Sequence, residues 1–161
     1  MGNNVKLDEV PIEDILYEEQ IKRFRLSECS LVYEVEINGT GSKVTVYSDV
    51  ESKESITEAI IKHYIVIEGK EYPVNFIGIS AFKDCVNLRK VEIPEGIEKI
   101  FACAFVETAI NEIDLPKSLK YLGFGAFSGC SKLRKVSLPK SCEINGDPFA
   151  GCNKDLMVET Y

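Results

Sequence analysis

The sequence predicts a short α/β solenoid: a parallel β ladder of three full turns and a partial fourth, headed by an N-terminal helix and a β-hairpin cap. Three observations carry this expectation. Phe82, Phe105, Phe127 and Phe149 recur at intervals of 23, 22 and 22 residues, the first three preceded by Ala81, Ala104 and Ala126. Such a period marks a repeat architecture, because one unit cannot bury its apolar edge alone whereas stacked units share a core. Each of the first three units then runs into alternating apolar residues closed by proline: Leu88, Val91, Ile93, Pro94; Ile110, Ile113, Leu115, Pro116; Leu133, Val136, Leu138, Pro139. Alternation of period two is that of a short strand, and proline ends it. Upstream, Leu31, Tyr33, Val35 and Ile37 alternate with Glu34 and Glu36, and after Asn38-Gly39 the alternation resumes at Val44 and Val46, which is the pattern of a hairpin.

Taken along the chain, residues 11–25 are expected to form the helix. Pro11 suits a first turn, acids come early, and Lys22, Arg23 and Arg25 come late, matching the helix macrodipole. Its apolar residues fall on two arcs, Ile12/Ile15/Leu16 and Tyr17/Ile21/Phe24, one to pack on the domain and the other to meet a partner. Beyond the hairpin, Ser55-Ile56-Thr57-Glu58 reads as a capping box ahead of Ala59, Ile60 and Ile61, in competition with a strand beginning near Ile60. In the repeats, a branched aliphatic stands five residues before each Phe (Ile77, Ile100, Leu122, Ile144), and Cys85, Thr108, Cys130 and Cys152 stand three residues after. The second unit is one residue short between Phe105 and Ile110, and the fourth offers only Leu156 and Val158 for its strand. With the Phe rings as filler opposite the strands, stacking gives a ladder with about 4.8 Å between neighbours. Residues 1–62 form the capping region and residues 63–161 the solenoid, together one structural domain.

These residues resemble the BspA-type leucine-rich repeats, whose units read Leu-x-x-Val-x-Ile-Pro, an Ile-Gly pair, then Ala-Phe-x-x-Cys. Ile77-Gly78, Leu122-Gly123, three Ala-Phe pairs and three Ile/Leu-Pro pairs carry the resemblance over about residues 64–161, with Phe101 in place of Gly and Pro148 in place of Ala as departures. Tyr64 to Val74 looks like the lead-in half-turn of such proteins. The resemblance implies a leucine-rich-repeat solenoid that binds protein partners, commonly in surface or secreted adhesion and interaction roles.

Composition narrows the function classes. The 161 residues hold 26 acidic against 19 basic side chains, a net charge of −7. This opposes non-specific binding to nucleic acid or anionic membrane, which needs clustered Lys and Arg, and fits a basic protein partner better. The charge is uneven: residues 1–62 have seven basic and thirteen acidic residues, leaving the solenoid nearly neutral. The first 20 residues hold six acids and no apolar run of signal-peptide length, so a cytoplasmic location is expected, or an extracellular one if an export signal has been removed. No apolar run has the ~20 residues of a membrane-spanning helix.

Candidate chemistry is sparse. Zinc needs about four converging ligands, and the sequence has one His and no Cys-x-x-Cys, so neither a metal nor a cofactor is expected. Cys85, Cys130, Cys152 and Cys142 occupy repeat slots suited to buried thiols. Cys29 and Cys103 leave open a cysteine-dependent activity, yet His63, the sole possible imidazole base, lies outside every repeat slot. A non-catalytic interaction module is the expected function, and an inhibitor or immunity-type protein masking a basic nuclease or toxin surface is the alternative. The binding candidates are the outward columns of the ladder, Lys90, Glu112 and Lys135 beside Glu92, Asp114 and Ser137, together with the Tyr17/Ile21/Phe24 arc. Glu92 and Asp114 would stand side by side with like charge, which costs stability unless a cation lies near. The C-terminal ladder edge offers a route to a homodimer.

Overall fold

The computed structural model describes residues 7–9 and 21–161. The repeat period sets its interior. The rings of Phe82, Phe105, Phe127 and Phe149 stack turn on turn, with centroids 5.1, 5.0 and 5.8 Å apart and interplanar angles of 3°, 6° and 20°. The small residue before each Phe lets neighbouring turns approach closely enough for direct backbone bonds: the amide of Phe82 donates to the carbonyl of Ala104, Phe105 to Ala126, and Phe127 to Pro148. Pro148 therefore replaces Ala without loss at this contact, because the neighbouring turn uses only its carbonyl. The small polar slot three residues on makes similar links. The thiols of Cys130 and Cys152 each donate to the carbonyl of the preceding turn's Phe at 3.0 Å, and Thr108 Oγ1 lies 3.2 Å from Cys130 Sγ.

Two parallel ladders flank this stack. One consists of the two-residue strands β8 (Phe76–Ile77), β10 (Lys99–Ile100), β12 (Tyr121–Leu122) and β14 (Glu143–Ile144). The N-terminal strands β1 (Leu7–Glu9), β2 (Lys22–Glu28), β3 (Leu31–Asn38) and β4 (Gly41–Ser48) form an antiparallel meander that joins it. The junction is a parallel pairing, Thr45 with Phe76 and Val46 with Ile77, giving one eight-stranded sheet in the order β1-β2-β3-β4-β8-β10-β12-β14. The expected hairpin is thus present and does more than cover the end, since its edge strand supplies the first rung. The half-turn from Tyr64 is a second hairpin, β6 (Tyr64–Ile67) with β7 (Lys70–Pro73).

The other ladder carries the predicted repeat strands: β9 (Lys90–Glu92), β11 (Glu112–Asp114) and β13 (Lys135–Leu138). It gains β5 (Glu58–Ile60) at one end and β15 (Met157–Thr160) at the other, and it divides into β5-β9 and β11-β13-β15. The division falls at the shortened second repeat, where Ile113 follows Phe105 by eight residues while the other units use nine. Ile113 and Val136 are buried, and Val158 in the last rung is exposed. On the first ladder Ile77, Ile100 and Leu122 are fully buried and Ile144 is exposed.

Two expectations are corrected. Lys22–Arg25 do not end a helix but lie in β2, paired over seven residues with β3; residues 11–20 of the expected helix lie outside the described residues. Phe24 and Leu26 face the core opposite Val35 and Tyr33, so a period of two with a partner strand outweighs the helical arc. The late basic residues, read as complements to a helix dipole, serve as cross-strand partners instead, with Arg23 Nε 3.1 Å from Glu36 Oε1. Likewise no helix follows Ser55: a 3-10 turn spans Val50–Ser52, capped by Asp49, and Ala59 enters β5 opposite Val91, where it fills the core column.

Burial of Tyr33 gives the fold an alkaline limit. Its ring is 2% exposed, and its hydroxyl accepts from the Lys62 amide at 3.2 Å. Desolvation holds this phenol above its ordinary range, and Glu28 adds to the effect. The folded state therefore favours the neutral form, and the stability this contributes is complete below the unfolded pKa of about 10 and is lost as pH rises through the folded value. The urea midpoint is predicted to fall as pH is raised from 9 toward 11, and Tyr33→Phe to flatten that fall while costing about 1 kcal/mol at neutral pH through the lost hydrogen bond. Parallel pH profiles for the two proteins would contradict this.

Candidate functional site

The ladder columns stand where the alternation places them. Lys90, Glu112 and Lys135 form one column, extended by Glu58 and Met157. Glu92, Asp114 and Ser137 form the other, extended by Ile60 and Glu159. The charges satisfy one another differently from a cross-strand ladder. Lys90 Nζ reaches Glu92 two residues along its own strand at 2.6 Å, and Lys135 Nζ reaches Glu159 on β15 at 3.0 Å. Each carboxylate holds its lysine above the ordinary ammonium range. Because β9 and β11 do not pair and Glu92 has its own lysine, the like-charge conflict with Asp114 is relieved within the chain. Exposed pairs of this kind contribute about 0–1 kcal/mol. Of the N-terminal arc, Phe24 packs on the core, Ile21 lies beside the turn of the first hairpin, and Tyr17 is outside the described residues.

The opposite face is of another character. On the eight-stranded sheet four of the residues beside the buried Val46, Ile77, Ile100 and Leu122 are aromatic: Tyr47, half-buried and packed against the core, and Phe76, Phe101 and Tyr121, half-buried on the outer side of the sheet. Phe76 and Phe101 lie 5.8 Å apart at 59°, and Phe101 and Tyr121 6.5 Å apart at 53°, a tilted row distinct from the parallel stack inside. Two glycines let this row form. A Cβ on Gly78 would come within 2.0 Å of the Tyr47 ring, and a Cβ on Gly123 within 2.6 Å of the Ala102 backbone nitrogen. Phe101 occupies the corresponding slot of the intervening turn, and its ring bridges Phe76 and Tyr121. At the adjoining corner Ile79 is 65% and Phe124 59% exposed. Lys99 stands between Phe76 and Tyr121 in their column, and further polar groups adjoin the row: the Lys120–Glu98 pair at 3.1 Å, and Asn145, whose Nδ2 donates to the Tyr121 hydroxyl at 2.8 Å.

Reasoning from sequence passed over this face, although its signals were present. Phe101 registered only as a departure from the Ile-Gly pair, and Phe76 and Tyr121 stand next to core residues, where period two turns them outward. As for other chemistry, among the described residues no three His, Cys, Asp or Glu are grouped to hold a metal ion, and His63 is exposed on a bend. Cys85 and Cys130 are buried, and burial pushes the Cys85 thiol up. The pair in the last turns differs: beside Cys130, and partly buried, the Cys152 thiol is held well above its ordinary range. None of these arrangements presents a nucleophile beside a base.

The model of the BspA type leucine rich repeat region (6 copies) matches residues 63–157. The chain belongs to the BspA-type leucine-rich repeat family. A leucine-rich repeat protein from Bacteroides capillosus, known from its crystal structure, is 29% identical with a TM-score of 0.71, over 85% of this chain and 98% of that one. The pneumococcal vaccine antigen PcpA (20% identity, TM-score 0.52, 85% of this chain and 50% of that one) shares the fold. So does the T. pallidum leucine-rich repeat protein (20% identity, TM-score 0.53, 72% of this chain and 62% of that one). The comparison with curated proteins finds no match.

The glycines of the outer face give a stability test. Gly123→Ala meets backbone and is predicted to cost roughly 1–3 kcal/mol, as overpacking does, whereas Gly78→Ala meets only the displaceable Tyr47 ring and should cost less. Urea denaturation of the two variants measures the order; equal costs would contradict the assigned contacts.

Proposed function

We propose that this chain is a non-catalytic protein-protein interaction module whose main contact is the outer aromatic row of the eight-stranded sheet. The observation that carries this reading is the double use of aromatic residues. The four stacked Phe rings fill the core and Tyr47 packs against it, so the row of Phe76, Phe101 and Tyr121, with Phe124 and Ile79 beside it, is surplus to core filling. Aromatic residues gathered in one surface patch, with Lys99 among them and polar groups beside them, suit a protein interface, where aromatic side chains are enriched. Rings fixed by contacts with one another also lose little freedom on binding. The family supports an interaction role in general; the face is read from this chain's own departures from the repeat.

The charged ladder serves in this reading as a secondary, salt-sensitive contact through Lys90, Glu92, Glu112, Asp114, Lys135 and Ser137. Its charges are exposed and largely paired within the chain, so they steer a partner more than they anchor it.

Site-specific photo-crosslinking in the native source separates the faces. A photoreactive residue in place of Phe124 or Ile79 is predicted to capture one protein partner, and the same residue in place of Asp114 or Ser137 to capture little of it. Adding Phe101→Thr should lower capture through position 124 by about thirtyfold, the effect of losing a hot-spot side chain of about 2 kcal/mol. Capture through the ladder positions alone, unaffected by Phe101→Thr, would contradict the assignment.

A further inference from the structure

We infer that the outer edge of β5 is a binding site for an extended peptide segment, which would add a strand to the β5-β9 pair. The register defines the edge. The Lys90 amide donates to the Thr57 carbonyl and the Ile61 amide donates to the Glu92 carbonyl, so Thr57, Ala59 and Ile61 turn their backbone groups toward β9. In a parallel strand the intervening residues turn theirs the other way. Glu58 and Ile60 therefore direct two amides and two carbonyls away from β9. Among the described residues none of these four groups has a hydrogen-bond partner. The next amide on the same side, that of Lys62, is bonded by the Tyr33 hydroxyl, which shows that this edge accepts a partner where one is within reach.

The surroundings select the occupant. A groove of about 420 Å³ runs beside the chain from Ile60 to Val66, walled by Leu26, Tyr33 and the Glu28–Lys62 ion pair. Ile60, Tyr64 and Val66 are exposed along it at 62%, 48% and 50%, an apolar strip that no other part of the described chain covers. Glu58 has no ion-pair partner among the described residues, since Lys90 is engaged by Glu92, and Glu51 and Glu54 are exposed just upstream. Backbone groups in strand register, an apolar strip and acids at one end fit an extended segment of alternating apolar residues with a basic residue at the end nearest Glu58. Main-chain pairing supplies the affinity in this mode of recognition, and alternate side chains supply the selectivity. The site is independent of the aromatic face, which lies on the other sheet.

The test uses an array of acetylated, amidated hexapeptides in which Val, Ile or Tyr alternates with Thr, and Lys or Arg stands at one end. Ile60→Pro removes the outward amide, which no internal bond uses, at an edge position where proline is tolerated. Ile60→Val keeps that amide and most of the side chain. The strongest peptides are predicted to lose at least tenfold in affinity for Ile60→Pro and less than threefold for Ile60→Val. N-methylation of their central residues should abolish binding to the unaltered protein, a readout that stands even if the proline variant fails to fold. Absence of binding to the array at millimolar peptide, equal binding to a folded Ile60→Pro, or equal binding of N-methylated peptides would each overturn the inference.

Discussion

The near-parallel stack of Phe82, Phe105, Phe127 and Phe149 is the contact on which the rest of the molecule depends. Phe105 and Phe127 are each held between the rings of neighbouring turns, and no single turn could bury them. Stacking at about the spacing of adjacent strands brings the turns into register, and the backbone bonds from Phe to the small residue of the next turn follow from that closeness. The two flanking ladders are consequences as much as causes. Strands of two or three residues have little stability by themselves, and here they are short on both sides of the stack.

A core filled from within leaves the outward positions free to vary. On one ladder they carry charges that pair along and across strands and contribute little to stability. On the other they carry aromatic rings, made possible by Gly78 and Gly123, whose missing side chains leave room for Tyr47 and for the backbone of the turn before. The shortened second repeat shows how local such variation is: it interrupts hydrogen bonding between β9 and β11 while Ile110 and Ile113 remain buried. The N-terminal meander meets the stack through the same rules, with Val46 taking the core slot of Ile77 and Ser48 Oγ donating to the Ala81 carbonyl where a further repeat would bond.

The solenoid was legible in the sequence because its period is imposed by one bulky residue per turn, and because proline and Asn38-Gly39 punctuate the strands and the first hairpin. Three features were not. The ladder of β8, β10, β12 and β14 uses strands of only two residues, too short for alternation to stand out, so the outward place of Phe76, Phe101 and Tyr121 is marked only by their position next to Ile77, Ile100 and Leu122. Lys22, Arg23 and Arg25 mislead because a charge order suited to a helix dipole is equally suited to a strand in which Arg23 and Arg25 stand opposite Glu36 and Glu34. Only the partner strand decides between these, and it lies in the next segment of chain. The free edge of β5 was hidden for a related reason, since a capping-box pattern over Ser55–Glu58 competes locally with a strand that exists through its pairing to β9.

The division of labour between inner and outer aromatic residues is tested most directly by the unfolding free energies of Phe105→Ala and Phe101→Thr in urea. Phe105 is fully buried between two rings, and its truncation is predicted to cost about 3–5 kcal/mol. Phe101 lies on the sheet surface, where a β-branched replacement should cost about 1 kcal/mol or less. A large loss for Phe105→Ala with a small one for Phe101→Thr is the expected result. Equal losses would show that the outer row is part of what holds the fold, and would contradict its assignment as a binding face.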